Sequence, residues 1–572
     1  MKYFIKKIYL IPLFLLIFFF NSTTNARDEN LKHSRQNIFN YFSGIVSLNE
    51  NNTTSGFKYL DRAQSLSSIH SNYNVNFIRA LVLLEKFDLA FAFANKLKNE
   101  DRLFFEANFL LGIEALINND YLSSKEYFSK LNNFSQYNLF FEDFLGSVLM
   151  SWSEASLKNK EKSFEILNEI PNRFKNLKEI QSSFLHCYFG TPTTESSFRK
   201  LITNKQYSFS RYNFFLVNYF ISIKNEMAAK RLLESEKNIY NSNLLIQQAR
   251  NFIANKKTEK IQNIFDCKNQ NDAIAEILYV IANLHSTEEN YQVSNFYLKI
   301  SLFLNNKFTP NKTLLAENFY NQKKYNLSRK TYNLLKDIGP VYSWYASINS
   351  SIILLNTDGK KKAISNLKKS FNSISRPNFN HYYEMANFLK DNESFEEAIK
   401  YYSLALKNIE KDNIIFAKIL YKRGTSYERI GNWKNAEIDL LESLKVLPDQ
   451  AHVLNYLAYS WIEKGIKINQ ALAMLKKATE LRKNDGYIID SLGWAYFKSE
   501  KYDQAKKYLQ KAVELMPLDP VVNDHYADAL WMSNHIIQAR YFWKHVLNLE
   551  NTKEELKESI NKKLVFGISK KL

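Results

Sequence analysis

A small residue recurs through the second half of the chain at an interval of 34 to 38 residues, and this repeat constrains the fold more than any other feature. Consecutive copies are separated by 34, 35, 35, 38, 34, 35 and 34 residues. They lie at Ala282, Ala316, Ser351, Ala386, Gly424, Ala458, Gly493 and Ala527. A regular interval of this length is typical of a solenoid, in which each unit buries its apolar face against its neighbours.

Each copy contains a second small residue, twelve or thirteen positions after the first. This second set consists of Ser294, Ser328, Ala363, Ala398, Ala436, Ala471, Ala505 and Ala539. We interpret the two sets as the places where a first helix and a second helix of one repeat approach closely. At Gly493 a branched side chain would overpack this contact.

The composition favours an all-α chain. Only 13 glycines and 9 prolines occur in 572 residues. Because hairpins, phosphate-binding loops and strand-to-helix turns depend on glycine, we expect few tight turns and no fold built on them. Aromatic residues make up 15% of the chain, and we expect many of them to pack between neighbouring helices.

The most regular copy carries a recognisable motif. It reads Ile489, Leu492, Gly493 and Tyr496, followed by Ala505, Leu509, Ala512 and Pro517. These residues resemble the tetratricopeptide repeat, with isoleucine in place of the usual tryptophan. The resemblance implies a right-handed superhelical solenoid of about twelve helix-turn-helix repeats.

Four segments follow from this pattern. We assign residues 1–26 to a signal peptide, 27–272 to divergent repeats, 273–550 to regular repeats and 551–572 to a C-terminal capping helix. The capping helix has Leu556, Ile560 and Leu564 at spacings of four. Small residues in the divergent segment are Gly44, Ala80 and Gly112, and Val217 with Ala229 extends the pattern. Around Trp152, Cys187 and Leu245 to Ile253 the repeat boundaries stay open.

The amino terminus has the layout of a secretory signal. Three lysines precede an apolar run from Ile8 to Phe20, and the small residue Ala26 follows. We expect cleavage after Ala26 and export across the inner membrane to the periplasm, with an uncleaved anchor as the alternative. A net charge of +19 favours anionic partners or membrane surfaces, so peripheral membrane association stays open.

The C-terminal repeats show a narrower resemblance. The stretches Val453–Tyr459, Asp490–Trp494 and Ala539–Trp543 resemble the repeat block of Gram-negative envelope proteins. One such family is an outer-membrane lipoprotein adaptor that presents cell-wall hydrolases to a periplasmic carboxyl-terminal processing protease. Those adaptors carry a lipidated cysteine, whereas no cysteine precedes Cys187 in this chain. Lipid anchoring is therefore not implied here, and the protease partnership stays open.

The resemblance also implies a binding surface, because positions 2, 5, 9 and 12 of the first helix face the concave groove in this family. In the final three repeats we predict that a partner contacts Asn455, Tyr459, Tyr487, Asp490, Trp494, Asp524, Asp528 and Trp531. Aromatic anchors beside carboxylates suit a peptide or helix with apolar and basic groups. The alternative is that Trp494 and Trp531 pack against the following repeat.

Motifs for catalysis are lacking in the sequence, which shows no phosphate loop, zinc-binding histidine pair or nucleophile elbow. His525 and Asp528 are close enough on one helix to form an acid-base pair, but no nucleophile joins them. Basic residues are interspersed with acidic ones, which argues against nucleic-acid binding. We expect no enzyme activity, metal site or small-molecule cofactor.

The two cysteines, Cys187 and Cys267, lie 80 residues apart, which is roughly two repeats. Stacked helices about 10 Å apart would hold them beyond the ~7 Å reach of a disulfide, so we predict two buried free thiols.

The function we predict is that of a non-catalytic periplasmic scaffold or adaptor whose partner is a protein or peptide of the cell envelope. Presentation of substrates to a protease is one form of this role. The alternative is an accessory subunit that contacts glycan for an envelope polysaccharide or peptidoglycan enzyme.

Overall fold

Every regular element of the computed structural model is helical within the residues it describes, which are 34–132, 144–203, 210–234, 243–411 and 413–568. The all-α prediction is therefore confirmed. The signal peptide predicted at residues 1–26 lies outside the described residues. The chain divides into two units, residues 1–346 and 347–572.

The helices follow one another with short connections. The first eleven are α1 (Arg35–Asn49), α2 (Thr53–Asp61), α3 (Ser71–Leu83), α4 (Phe87–Asn99), α5 (Phe105–Ile117), α6 (Tyr121–Ser129), α7 (Leu145–Ser156), α8 (Lys160–Glu169), α9 (Lys175–Phe189), α10 (Thr194–Ile202) and α11 (Tyr212–Ser222). The next ten are α12 (Glu226–Glu234), α13 (Leu244–Ala254), α14 (Glu259–Gln262), α15 (Gln270–Thr287), α16 (Tyr291–Leu304), α17 (Thr309–Asn321), α18 (Tyr325–Asn333), α19 (Pro340–Thr357), α20 (Lys360–Asn372) and α21 (Phe379–Asp391). The last ten are α22 (Phe395–Lys407), α23 (Ile414–Arg429), α24 (Trp433–Val446), α25 (Ala451–Glu463), α26 (Ile468–Leu481), α27 (Gly486–Lys498), α28 (Tyr502–Leu515), α29 (Pro520–Met532), α30 (Ile536–Leu547) and α31 (Glu554–Phe566).

The helices pair as the repeat predicts, and the predicted small residues lie where the two helices of a pair meet. Ala458 on α25 and Ala471 on α26 are completely buried, as are Ala527 on α29 and Ala539 on α30. A Cβ added at Gly493 would lie 2.6 Å from Leu509 Cγ. The all-α repeat solenoid is thus confirmed, and its handedness stays a prediction.

Where the second small residue is serine, its hydroxyl strengthens the same contact. Ser294 Oγ donates to the carbonyl of Ala282 at 2.7 Å, and Ser328 Oγ donates to that of Ala316 at 2.8 Å. Serine fits at these places because it adds little bulk and its buried hydroxyl finds an acceptor in a helical carbonyl.

The divergent region continues the same spacing. Ser151 on α7 donates to the carbonyl of Ser163 on α8 at 2.8 Å, and these serines are also twelve residues apart. The described chain contains thirty-one α-helices, more than the roughly twenty-four that about twelve repeats supply. Eight of these helices lie in residues 145–262, where the sequence leaves the repeat boundaries open.

The expectation of few tight turns is wrong. A residue with positive φ follows the first helix of nearly every pair, as in Glu85 (59°), Lys323 (58°) and Glu500 (58°). Glycine is the usual residue for this conformation, but asparagine, lysine and glutamate adopt it here at a cost of about 1–2 kcal/mol. Low glycine content therefore did not mean few turns.

In the first unit, helices that are far apart in the sequence also pack against each other. Phe87 of α4 stacks on Phe303 of α16 with ring centroids 4.1 Å apart. Gln322, after α17, donates to the side chain of Asn51 at 3.0 Å. These contacts join residues more than 200 positions apart, so early and late helices of this unit share one apolar core.

Cys187 and Cys267 form a disulfide, with Cα atoms 5.9 Å apart, so the prediction of two free thiols is wrong. That prediction assumed a separation along a straight stack. In the structure α9 packs against α15, and Phe184 of α9 contacts Phe265 with ring centroids 5.3 Å apart. The curling of the unit therefore brings the two cysteines together.

Gly493→Val tests the helix contact inside a repeat. The valine side chain would collide with Leu509, and we expect a loss of about 1 to 3 kcal/mol in the free energy of unfolding. Thermal and urea unfolding measure it. Gly424→Ala is the matched control, since its nearest neighbours lie 3.2 Å from the added Cβ and it should cost less. Equal stability of Gly493→Val and wild type would contradict the assigned repeat register.

Replacing both cysteines by alanine tests the covalent link. We expect the first unit to lose about 2–4 kcal/mol of stability, since the unfolded chain is no longer cross-linked. Hydrogen exchange should show faster exchange in α9 and α15 and unchanged exchange in α27. Peptide mapping without reductant should recover Cys187 and Cys267 in one linked product. Two free thiols in the folded, unreduced protein would refute the link.

Candidate protein-binding groove

The eight predicted binding residues lie on the first helices of three successive pairs. Asn455 and Tyr459 belong to α25, which packs against α27, and α27 packs against α29. The remaining six are Tyr487, Asp490 and Trp494 on α27 and Asp524, Asp528 and Trp531 on α29. Their spacings of three and four residues place each set on one side of its helix. We call the surface formed by these three helices the groove of the second unit.

Trp494 is largely buried inside this surface. Its ring stacks on the imidazole of His525 with centroids 4.0 Å apart, and its indole nitrogen donates to Glu463 at 2.6 Å. Only 9% of the residue is exposed. The structure therefore places Trp494 as a packing residue between α27 and α29, as in the alternative interpretation.

Asp490 is paired with the same histidine. His525 Nδ1 lies 3.0 Å from Asp490 Oδ2, and both residues are buried. Burial alone would lower the pKa of His525, but the charges of Asp490, Asp524 and Asp528 outweigh it and raise the pKa. His525 thus partners Asp490 and not Asp528, so the acid-base pair considered from the sequence does not form.

The other two carboxylates receive a cation from the C-terminal helix. Lys563 of α31 places its ammonium 2.8 Å from both oxygens of Asp524 and of Asp528. Trp543 of α30 also donates to Asp528 at 2.9 Å. Burial and the neighbouring Asp524 raise the pKa of Asp528, while the two carboxylates raise the pKa of Lys563 against the effect of its own burial.

Trp531 is covered by the same terminal segment. Its indole nitrogen donates to the carbonyl of Ile568 at 3.2 Å, and its ring lies 5.3 Å from that of Trp543. Ile560 of α31 is completely buried beneath it in the same apolar cluster. The groove surface of α29 is therefore covered by α31 and by the residues that follow it. The apolar spacing of α31 predicts a capping helix, but it does not indicate the role of Lys563.

The accessible part of the groove lies on α25 and the start of α27. Tyr487 is 60% exposed, and its hydroxyl donates to Asp519 at 3.4 Å. Tyr459 is half-buried, and burial, followed by the charges of Glu463 and Asp490, raises its pKa. The side-chain oxygen of Asn455 is buried without a hydrogen-bond partner among the described residues. His452, one turn before Asn455, is exposed.

This surface is suited to binding another molecule. Among the described residues, no group of three or more His, Cys, Asp or Glu side chains is placed to hold a metal ion. The tyrosines supply apolar contact area with a polar tip. Together they can hold an extended or helical segment of another molecule.

Lys563→Met tests the internal ion cluster. The change leaves two adjacent carboxylates buried without a cation, and we expect a loss of about 3 to 5 kcal/mol in the free energy of unfolding. Lys557→Met is the control, because it removes an exposed pair with Glu554 on the same helix and should cost less than about 0.5 kcal/mol.

The pH dependence of this variant has a defined sign. Without the lysine, the pKa of Asp528 in the folded protein rises further above its value in the unfolded chain. The folded variant is therefore stabilised when Asp528 is protonated at low pH and destabilised when it must be charged at high pH. The stability difference between wild type and Lys563→Met should therefore be larger at about pH 8 than at about pH 5. Chemical denaturation at both values measures it. A difference that grows towards acid would contradict the assignment.

Comparison with known proteins agrees with this description. Residues 345–552 match the tetratricopeptide repeat family. The TPR repeat-containing protein PA4667 of Pseudomonas aeruginosa is 28% identical over 116 residues, which are 20% of this chain and 19% of that protein. The chain thus spans about a fifth of the length of this curated relative.

Several solved structures are similar in part. MamA from Desulfovibrio magneticus RS-1 is 20% identical with a TM-score of 0.28 and covers 31% of this chain and 97% of its own. The Cut9-Hcn1 hetero-tetramer of the APC/C is 15% identical with a TM-score of 0.35 and covers 93% and 96%. YrrB, titled a TPR protein with an unusual peptide-binding site, is 18% identical with a TM-score of 0.27 and covers 35% and 97%.

The family assignment rests on the match over residues 345–552 and on the paired helices with small residues at their contacts. By both criteria, residues 345–552 of this chain form tetratricopeptide repeats.

Proposed function

We propose that this protein is a non-catalytic scaffold that binds another protein or a peptide through α25 and α27. Tetratricopeptide repeats mediate protein-protein interaction, and their fold is typically a non-catalytic one. The observation that carries the proposal is that His452 and Tyr487 are exposed and Tyr459 is half-buried on this surface.

The charge arrangement changes the kind of partner we expect. Three carboxylates suggested a basic partner, but Asp490 is paired with His525, and Asp524 and Asp528 are paired with Lys563. Their charge is compensated within the protein, so it contributes less to recruiting a cation. We therefore propose a partner segment with apolar or aromatic anchors that pack on the tyrosines.

The double variant Tyr459→Ala/Tyr487→Ala tests this surface. Aromatic residues carry much of the binding energy when they lie at the centre of an interface, and we expect affinity to fall at least about tenfold. The bait is the whole protein purified from its native cell envelope, and the proteins that co-purify are quantified by mass spectrometry. The affinity of the main partner is then measured with purified components.

Tyr541→Ala is the matched control for this experiment. Tyr541 is 68% exposed but lies on α30, the second helix of its pair, and should leave binding unchanged. Circular dichroism must show the same helical content in all variants. Full partner capture by the folded double variant would refute the groove and point to the first unit.

We also propose that the protein acts outside the cytosol. The lysine-rich and apolar order of residues 1–26 supports export, and the Cys187–Cys267 disulfide suits an oxidising compartment such as the periplasm. The adaptor role, in which the groove presents a substrate to an envelope protease, is one form of this proposal. It is supported by the resemblance of the C-terminal repeats and not by lipid anchoring.

A glycan-contacting role is the second candidate, because exposed tyrosine rings such as that of Tyr487 can stack on sugars as well as on peptides. The two roles differ in their ligand. Binding of purified peptidoglycan or polysaccharide that is lost in Tyr459→Ala/Tyr487→Ala would favour the accessory subunit, whereas loss of a protein partner alone would favour the scaffold.

A further inference from the structure

The first helix of the chain has apolar side chains on two opposite faces. Asn40, Gly44 and Leu48 are buried on one face, and α1 packs against α2 there. On the other face Ile38, Phe39, Phe42 and Val46 are 43%, 57%, 61% and 54% exposed. We call these four side chains the outer face of α1. They lie within an arc of about 100° of the helix, so they form one continuous patch.

Basic residues flank this patch. Arg35 lies on the same arc at the start of α1 and is exposed. Tyr59 of α2 contacts Phe39 edge-on at 6.2 Å, and both Lys58 on α2 and Arg62 directly after α2 are exposed. An apolar face bordered by lysine and arginine is the arrangement of helices that lie in the interface of an anionic bilayer.

The sequence before α1 supports a membrane as the occupant. The apolar run that ends at Phe20 is separated from Ser34, the N-cap of α1, by thirteen residues. Such a segment spans at most about 45 Å when extended. Until the predicted cleavage after Ala26, this length therefore keeps α1 close to the bilayer across which the chain is exported.

A second copy of the chain fits the outer face less well. The exposed parts of these four side chains amount to about 400 Å², judged from the area of such residues. A stable dimer buries about 800 Å² on each partner. No helix among the described residues has the length and apolarity needed to cross a bilayer, so any contact through α1 is with the surface of the membrane.

From these observations we propose that the outer face of α1 binds the surface of an anionic phospholipid membrane. Phe39, Phe42 and Val46 insert among the acyl chains near the headgroups, and Arg35 contacts lipid phosphates. The sequence leaves peripheral membrane association open, and this proposal assigns it to the outer face of α1. It does not depend on partner binding by α25 and α27, and its test leaves that groove unchanged.

The experiment places a fluorescent reporter on the outer face of the full chain. Both native cysteines are joined in a disulfide, so Phe42→Cys supplies one thiol for an environment-sensitive dye. The chain is mixed with vesicles of phosphatidylethanolamine and phosphatidylglycerol. We expect a blue shift of the dye and quenching by lipids that carry a nitroxide on the acyl chain. Tyr541→Cys, an exposed position on α30, is the matched control and should show neither effect.

A second measurement uses no dye, so it tests whether the dye itself causes the membrane contact. Phe42→Ser/Val46→Ser should reduce the vesicle-bound fraction of the chain that starts at Arg27 by at least about fivefold, with Ile537→Ser/Tyr541→Ser unchanged. Replacing phosphatidylglycerol by phosphatidylcholine should also weaken binding. Circular dichroism must show that each variant is folded.

Three results would overturn the proposal. The first is vesicle-bound protein whose dye at position 42 is not quenched. The second is the absence of vesicle binding by the full chain. The third is self-association without lipid in which position 42 cross-links between two copies, which would identify a second chain as the occupant. Each leaves the partner-capture experiment on α25 and α27 unaffected.

Discussion

The close approach of two helices at a pair of small residues is the contact on which the rest of this structure depends. At Gly493 an added Cβ would lie 2.6 Å from Cγ of the Leu509 side chain, so the two helices could not keep their present positions unchanged. Where serine takes the second place, as at Ser294, its hydroxyl also bonds the carbonyl of the first helix. Because this contact is repeated, helix pairs stack, and the first helices of successive pairs present one shared surface.

The two units differ in what packs around their helix pairs. In the first, aromatic residues such as Phe87 and Phe303 pack between distant helices, and a disulfide links α9 to the segment before α15. In the second, regular pairs leave α25 and the start of α27 accessible, and α31 packs against the last pair through Ile560 and Lys563. Because the second unit keeps part of its groove accessible, we assign partner binding to the second unit.

The helix pairs of residues 273–550 could be predicted because their contacts are local and periodic in the sequence. The packing between distant helices of the first unit could not be predicted. Phe87 and Phe303 meet because the unit curves, and the spacing of residues in the sequence does not indicate this curvature. The same curvature joins Cys187 to Cys267. Lys563 was within reach of prediction, because it lies three residues after the buried Ile560 and carries the charge that Asp524 and Asp528 require.

The central claim of this account is that α25 and α27 form the partner-binding surface of a scaffold. Hydrogen exchange of the protein with and without its purified partner tests it most directly. The account predicts slower exchange in α25 and α27 on binding, with little change in α29 and α31, whose groove positions are already filled. Protection confined to residues 34–346, or displacement of α31 with faster exchange around Lys563, would contradict it.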